Sequence, residues 1–160
     1  EDGRRRWRVA LALLRSERDD LDEAASLLEM VAAEDELQPA QWAALAGIHL
    51  ARGDDPAMQA ARRGRLEAMT QGQLSSLVYG HLQRLDDDES GVPGDLDPEA
   101  PLATAVLIRK ATDPSSETWA VWSIYDRTKD PRMLRAMAEG IPGHSAETVY
   151  GYLQDRYGQP

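Results

Sequence analysis

Side chains with oxygen donors are concentrated in one short stretch of the sequence, DDDESGVPGDLD, which runs from Asp86 to Asp97. A calcium loop places oxygen ligands at positions 1, 3 and 5, glycine at position 6, a backbone carbonyl at position 7 and a carboxylate at position 12. Counted from Asp86, the stretch has a suitable residue at each of these positions. The candidate calcium ligands are Asp86, Asp88, Ser90, Val92 and Asp97.

The same stretch also has the composition of a linker. Over these residues it resembles the loops of helix-loop-helix calcium proteins, and it follows a segment, 72–85, that is predicted to be helical. However, Pro93 at position 8 cannot donate the hydrogen bond that pairs two such loops, and Asp97 is also a good N-cap for the next helix. We therefore favour an acidic linker over residues 86–97, which implies no cofactor, and keep a calcium-responsive hinge as an alternative.

No other group of residues predicts catalysis. His49, His81 and His144 are isolated from one another in the sequence, and no phosphate-binding glycine loop or serine elbow is present. His49 stands at a position that predicts packing, and His81 is expected to be the more exposed. His144 and Glu147 have the three-residue spacing of a zinc-binding pair, but no second pair accompanies them. We expect this chain not to be an enzyme.

Charge and composition exclude several classes of partner. The net charge of the 160 residues is −10, which repels phosphate backbones, so no nucleic acid is expected despite the basic residues 4–8. The absence of cysteine excludes disulfides and thiolate zinc sites. The longest apolar run, residues 102–108, is far shorter than the roughly 20 residues that span a bilayer. We expect a soluble chain without membrane insertion, while its compartment stays open.

The N-terminal sequence carries neither an initiator methionine nor an apolar signal core, because Glu1 is followed closely by four arginines within residues 4–8. We therefore expect a segment of a longer protein.

Apolar residues recur at helical spacing through the first half of the chain and predict two helix pairs. In the second pair the break is Gly53-Asp54-Asp55-Pro56, where Gly53 is expected to end one helix and Asp55 to cap the next. A shift of 34 residues places Leu11 on Leu45, Ala12 on Ala46, Leu14 on Ile48, Asp20 on Asp54 and Ala24 on Met58.

This period and the residues Trp42, Leu45, Ala46 and Gly53 resemble the tetratricopeptide repeat (TPR), over about residues 5–85. The resemblance implies helix hairpins stacked into a right-handed solenoid. A third repeat begins at residues 72–85, and its second helix is replaced by the acidic stretch.

Beyond that stretch, the pairs Asp97-Pro98, Asp113-Pro114 and Asp130-Pro131 predict helix starts. The expected helices cover residues 98–111, 115–128, 131–139 and 145–157. The first of them is the most apolar and should be buried. The aromatic residues of this part are expected in the core: Trp119, Trp122, Tyr125, Tyr150 and Tyr157.

These observations predict an all-α fold of about nine helices, arranged as antiparallel hairpins in a short right-handed TPR-like solenoid. We expect three parts: TPR-like pairs over 1–85, the acidic linker over 86–97, and helix hairpins over 98–160 that pack on the first block.

The TPR resemblance also implies a groove lined by the first helix of each pair. The corresponding residues are Val9, Leu13, Ala43, Gly47, Leu50, Leu77, His81 and Arg84. Because they are mostly small or apolar, we expect an apolar protein or peptide segment as the partner, from another protein or from another domain of the same chain. The expected function is protein-protein interaction or scaffolding, with no evident small-molecule substrate. A helical accessory domain of a multidomain enzyme is the main alternative.

Overall fold

A computed structural model describes residues 2–17, 20–34, 37–86, 95–114 and 117–158, and within these ranges the regular structure is nine α-helices with no strand. This confirms the predicted all-α class for the described part of the chain. The helices are α1 (Asp2–Glu17), α2 (Leu21–Ala32), α3 (Pro39–Arg52), α4 (Asp55–Ala68), α5 (Gln71–Asp86), α6 (Glu99–Lys110), α7 (Thr118–Thr128), α8 (Arg132–Gly140) and α9 (Ala146–Tyr157).

The first of two compact units contains α1 to α4 and ends at Met69. In this unit α1 packs on α2, α3 packs on α4, and both α1 and α2 contact α3. Its core is built from small and aliphatic side chains: Val9, Ala12, Ala24, Ala25, Leu27, Leu28, Val31, Leu37, Leu45, Ala46, Ile48, Met58 and Ala61. The apolar positions at helical spacing therefore form one buried cluster, as amphipathic helices require.

The turn between α3 and α4 is fixed by three consecutive residues. Gly53 adopts φ +70°, the left-handed conformation that ends a helix. The carboxylate of Asp54 then accepts a hydrogen bond from the Ala57 amide at 3.2 Å. The predicted cap, Asp55, is wrong by one residue, because α4 already begins at Asp55 and Pro56 occupies its second position.

The second unit contains α5 to α9 and begins at Thr70. Here α6 packs on α5 and most extensively on α8, while α7 contacts α5 and α9 lies against α7 and α8. The sequence placed α5 at the end of the first block, but its partners are α6 and α7. Since α6 buries nearly its whole circumference, as predicted, it requires neighbours on more than one side.

Asp97 and Asp130 lie one residue before the observed N-caps of α6 and α8, so these two predicted caps are also wrong by one residue. The carboxylate of Asp97 accepts a hydrogen bond from the amide of Glu99 at 2.9 Å, and that of Asp130 accepts one from Arg132 at 2.9 Å. Helix α7 instead begins at Thr118, later than the predicted residue 115. In the part of the chain that the structure describes, no helix combines the length and apolar character needed to cross a membrane.

Candidate functional site

The solvent-facing side of α3 carries no charged residue between positions 40 and 51. Its exposed residues are Ala40, Ala43, Gly47, Leu50 and Ala51, and we call this surface the α3 face. Leu50 is 56% exposed, and Leu13 on α1 is 43% exposed. Ala43, Gly47 and Leu50, three of the predicted groove residues, thus lie on one exposed apolar surface of α3. Surface helices normally place charged or polar side chains toward water, so this composition is unusual.

The other predicted groove residues have different environments. Val9 is buried in the core of the first unit. Leu77, His81 and Arg84 lie on α5 in the second unit, where Leu77 is half-buried and Arg84 is exposed. His81 is only 3% exposed, so the expectation of an exposed histidine is wrong. These α5 residues therefore belong to a different unit from the α3 face.

His81 belongs to a polar cluster that joins α5 to the residues before α6. The guanidinium of Arg84 donates to Nδ1 of His81 and, at 3.3 Å, to Oδ2 of Asp97. The same Asp97 oxygen lies 3.3 Å from His81 Nδ1. Because arginine can only donate, Nδ1 accepts, and the neutral ring carries its proton on Nε2. This Nε2 is buried and has no hydrogen-bond partner among the described residues.

The electrostatics of this cluster favour the neutral imidazole. Burial lowers the pKa of His81 below its ordinary value of 6.5, the Asp97 carboxylate opposes this effect, and the Arg84 guanidinium adds to it. The net direction is downward. The cluster therefore holds the end of the acidic stretch against α5 through an arginine and a neutral histidine.

Two of the candidate calcium ligands lie among the described residues. Asp86 forms an ion pair with Arg127, and Asp97 belongs to the cluster with Arg84 and His81. Asp88, Ser90 and Val92 lie outside the described residues. Within the described ranges, no group of three acidic, histidine or cysteine side chains is placed to hold a metal ion.

The remaining histidines differ in exposure. His49 is buried, as its packing position predicts, and its Nε2 lies 3.3 Å from Oε1 of Glu29 on the neighbouring helix. His144 is exposed and lies immediately before Ser145, which caps α9 by accepting a hydrogen bond from the Thr148 amide at 3.2 Å. His49 therefore belongs to the packing of the first unit, and His144 lies just before the N-terminus of α9.

Two of the aromatic residues predicted in the core are instead exposed. Trp119 is 49% exposed and stacks on Tyr79, with ring centroids 6.3 Å apart. Tyr150 is 40% exposed and contacts the half-buried Trp122 and Tyr125. The prediction of core positions was wrong for Trp119 and Tyr150, since helical spacing shows that residues share a face but not what covers that face.

Tyr125 and Tyr150 open onto a cleft of about 360 Å³ between α7, α8 and α9. We define this aromatic cleft by Tyr125, Pro131, Leu134, Arg135, Glu147 and Tyr150. A second cavity, of about 280 Å³, is mostly apolar and includes Met137, Ile141 and Val149. Sequence reasoning missed both. The one available signal for the cleft was the recurrence of Trp and Tyr at positions 122, 125 and 150.

Comparison of the chain with protein-family models, with curated proteins and with solved structures found no match in any of the three.

Proposed function

We propose that this chain is a non-catalytic protein-interaction or scaffolding module, and that its α3 face binds an apolar helix of a partner protein. The observation that carries the proposal is the composition of this surface. From residue 40 to residue 51 the exposed residues of α3 are alanine, glycine and leucine, and Leu50 is 56% exposed. Covering such a surface removes apolar area from water without burying a charge.

We further propose that α1 to α4 are two TPR-like hairpins of a right-handed solenoid. Residues related by the 34-residue shift have equivalent environments, which supports this arrangement. Ala12 and its counterpart Ala46 are both buried. Asp20 and Asp54 both occupy the position just before the second helix of a pair. In such a solenoid α1 and α3 would line the same surface, and the exposed Leu13 would extend the α3 face.

The small residues of the α3 face favour a helical partner over an extended one. Ala43 and Gly47 are four residues apart and therefore lie one above the other on the helix. A Cβ atom added to Gly47 would meet no atom within 4 Å, so the backbone there is open to close approach. Small residues at a helix contact allow short interaxial distances, and Leu50 supplies a larger side chain to pack beside them. The net charge of −10 favours a partner helix that carries basic residues on the face opposite its apolar face.

The test is binding of a fluorescent amphipathic helical peptide, with leucine on one face and lysine on the other, to the full chain. Gly47→Arg places a long charged side chain on the α3 face without a clash in the chain itself. We expect it to weaken binding at least about tenfold, the effect of losing about 1.4 kcal/mol. Gly72→Arg is the matched control, because Gly72 is also an exposed helical glycine with open space around it.

Equal binding by the wild-type chain and Gly47→Arg would refute the proposal, and so would equal loss in both arginine variants. Concentration-dependent dimerisation that Gly47→Arg abolishes would instead identify a second copy of this chain as the occupant. Size-exclusion chromatography with light scattering, run without peptide, distinguishes that outcome.

A further inference from the structure

The cavity of about 280 Å³ lies within the second unit, and the α9 residues that line it differ from those of the aromatic cleft. A cavity of about 150 Å³ is enough to hold benzene. This one therefore has room for a ligand body of about two fused rings. We call it the apolar cavity and define it by Thr118, Met137, His144, Thr148, Val149 and Tyr152.

The floor of the apolar cavity is formed by buried side chains. Thr118, Met137 and Val149, one from each of α7, α8 and α9, are all buried. The hydroxyl of Thr118 is already paired with the hydroxyl of Tyr157, at 2.6 Å between the two oxygens. A ligand that reaches this depth would meet mainly apolar atoms and would bind by removing apolar surface from water.

The rim of the apolar cavity carries polar side chains. His144, Thr148 and Tyr152 are all exposed. The guanidinium of Arg156, one turn further along α9, donates to the hydroxyl oxygen of Tyr152 at 2.5 Å. Because arginine can only donate, the Tyr152 oxygen accepts this bond and keeps its own O–H for another acceptor. A ligand with an apolar body and one polar end therefore matches the floor and the rim together.

The charges at the rim favour a negative charge on that polar end. Among the described residues that line the cavity, none carries a carboxylate. Arg156 lies beside Tyr152, and His144 becomes a cation when it is protonated. A carboxylate can accept hydrogen bonds from a hydroxyl and from a guanidinium, and such charge-assisted bonds are about twice as strong as neutral ones.

The net charge of −10 does not prevent an anion from binding at this rim. At physiological ionic strength, exposed charges are screened beyond about 8 Å, so the groups next to the ligand decide the preference.

We propose that the apolar cavity binds a small aromatic monocarboxylic acid, with its ring system against Met137 and Val149 and its carboxylate at Tyr152 and Arg156. A rigid ring system loses less conformational entropy on binding than a flexible chain of the same size, and the Met137 sulfur makes favourable contacts with aromatic rings. This site lies within the second unit and goes beyond the helix-binding function proposed for the α3 face.

The experiment titrates the full chain with 2-naphthoate and follows the methyl groups of the protein by two-dimensional NMR. We expect saturable one-site binding with a dissociation constant of about 1 mM or lower, and the largest shifts at the methyl groups of Met137 and Val149. Two ligands of nearly the same shape test the charge: 2-naphthamide is neutral and 2-naphthylmethylamine is a cation. Affinity should fall from the acid to the amide to the amine.

Two pairs of variants test the rim. Tyr152→Ala should weaken binding of the acid about tenfold, whereas Tyr150→Ala should not, because Tyr150 is also an exposed tyrosine of α9 but lies outside the apolar cavity. Arg156→Gln should reduce the preference for the acid over the amide severalfold. Arg135→Gln, which removes an exposed arginine of α8, should leave that preference unchanged.

Four results would overturn the proposal: no binding of the acid, shifts away from Met137 and Val149, equal affinity for the acid and the amide, or equal affinity in the wild type and Tyr152→Ala. Gly47→Arg should leave this binding unchanged, so failure of this site is distinguishable from failure of the α3 face.

Discussion

His81 is held neutral in the folded chain by burial and by the guanidinium of Arg84, against the pull of the Asp97 carboxylate. Its pKa is therefore lower in the folded chain than in the unfolded chain, where the ordinary value of 6.5 applies. As the pH falls below 6.5, His81 becomes protonated in the unfolded chain before it does so in the folded chain. The free energy of unfolding must then fall as the pH decreases from 6.5 toward the lower folded pKa. Above pH 6.5 the contribution of His81 to this free energy does not change.

We predict that His81→Gln removes this dependence on pH. A single proton contributes at most about 1.4 kcal/mol per pH unit to the free energy of unfolding, and the variant should lose a slope of up to that size just below pH 6.5. The measurement is urea unfolding at a series of pH values from neutral to mildly acidic.

The exposed His144 gives the control for that series. His144→Gln replaces an exposed histidine by the same residue and should leave the slope as it is in the wild type. A slope in His81→Gln equal to that of the wild type would show that other groups cause the acid sensitivity.

At the scale of the helices, close packing depends on glycine at one contact in each unit. A Cβ atom on Gly64 of α4 would lie 2.7 Å from the ring of Trp42 on α3. A Cβ atom on Gly140 of α8 would lie 2.7 Å from Cβ of Ile108 and 3.0 Å from the carbonyl oxygen of Ala105. The contact at Gly64 is with a side-chain ring, whereas the contact at Gly140 includes a Cβ atom and a carbonyl oxygen whose positions are fixed by the backbone of α6.

We predict that Gly140→Ala destabilises the second unit by about 1–3 kcal/mol, because α6 and α8 must separate to admit the methyl group. Hydrogen exchange of the α6 amides measures this loss as a lower free energy of opening. Because α6 contacts both α5 and α8, the exchange of its amides measures the stability of the second unit.

Gly151→Ala is the control for this substitution. Gly151 lies in the exposed part of α9, and a methyl group there meets nothing within 4 Å. Alanine at such a position stabilises a helix by about 0.5–1 kcal/mol. If Gly140→Ala were stabilising by a similar amount, the contact between α8 and α6 would be looser than described.

For the molecule as a whole, the net charge of −10 opposes self-association through its exposed apolar residues. Near pH 4.7 the net charge vanishes, and that repulsion is lost. We predict monodisperse protein at neutral pH and association near pH 4.7, followed by dynamic light scattering during an acid titration.

Leu50→Lys and Ser26→Lys separate apolar attraction from charge, because each adds one positive charge at an exposed position and only the first removes an exposed leucine. Leu50→Lys should reduce association at pH 4.7 severalfold more than Ser26→Lys. Equal effects of the two lysines would mean that charge alone controls association and that the α3 face takes no part.

The positions of the helices follow from the amino-acid sequence alone. The predicted bounds of α5 to α9 lie within a few residues of the observed ones, Gly53 ends α3 as predicted, and the apolar α6 is buried as expected. These features depend on residues a few positions apart, whose hydrogen bonds and φ preferences are local. The predicted N-caps Asp55, Asp97 and Asp130 each differ by one residue from the observed N-cap, which shows the limit of that reasoning.

Which helix faces are covered follows from tertiary packing and not from the local pattern. Helix α5 packs against α6 and α7, His81 is buried beside Arg84 and Asp97, and Tyr150 stays exposed at the edge of the aromatic cleft. Periodicity identifies residues that share a face, but burial depends on a neighbour that is distant in sequence. The cleft combines α7, α8 and α9 residues for the same reason, so its geometry arises from packing between helices and not from any one segment.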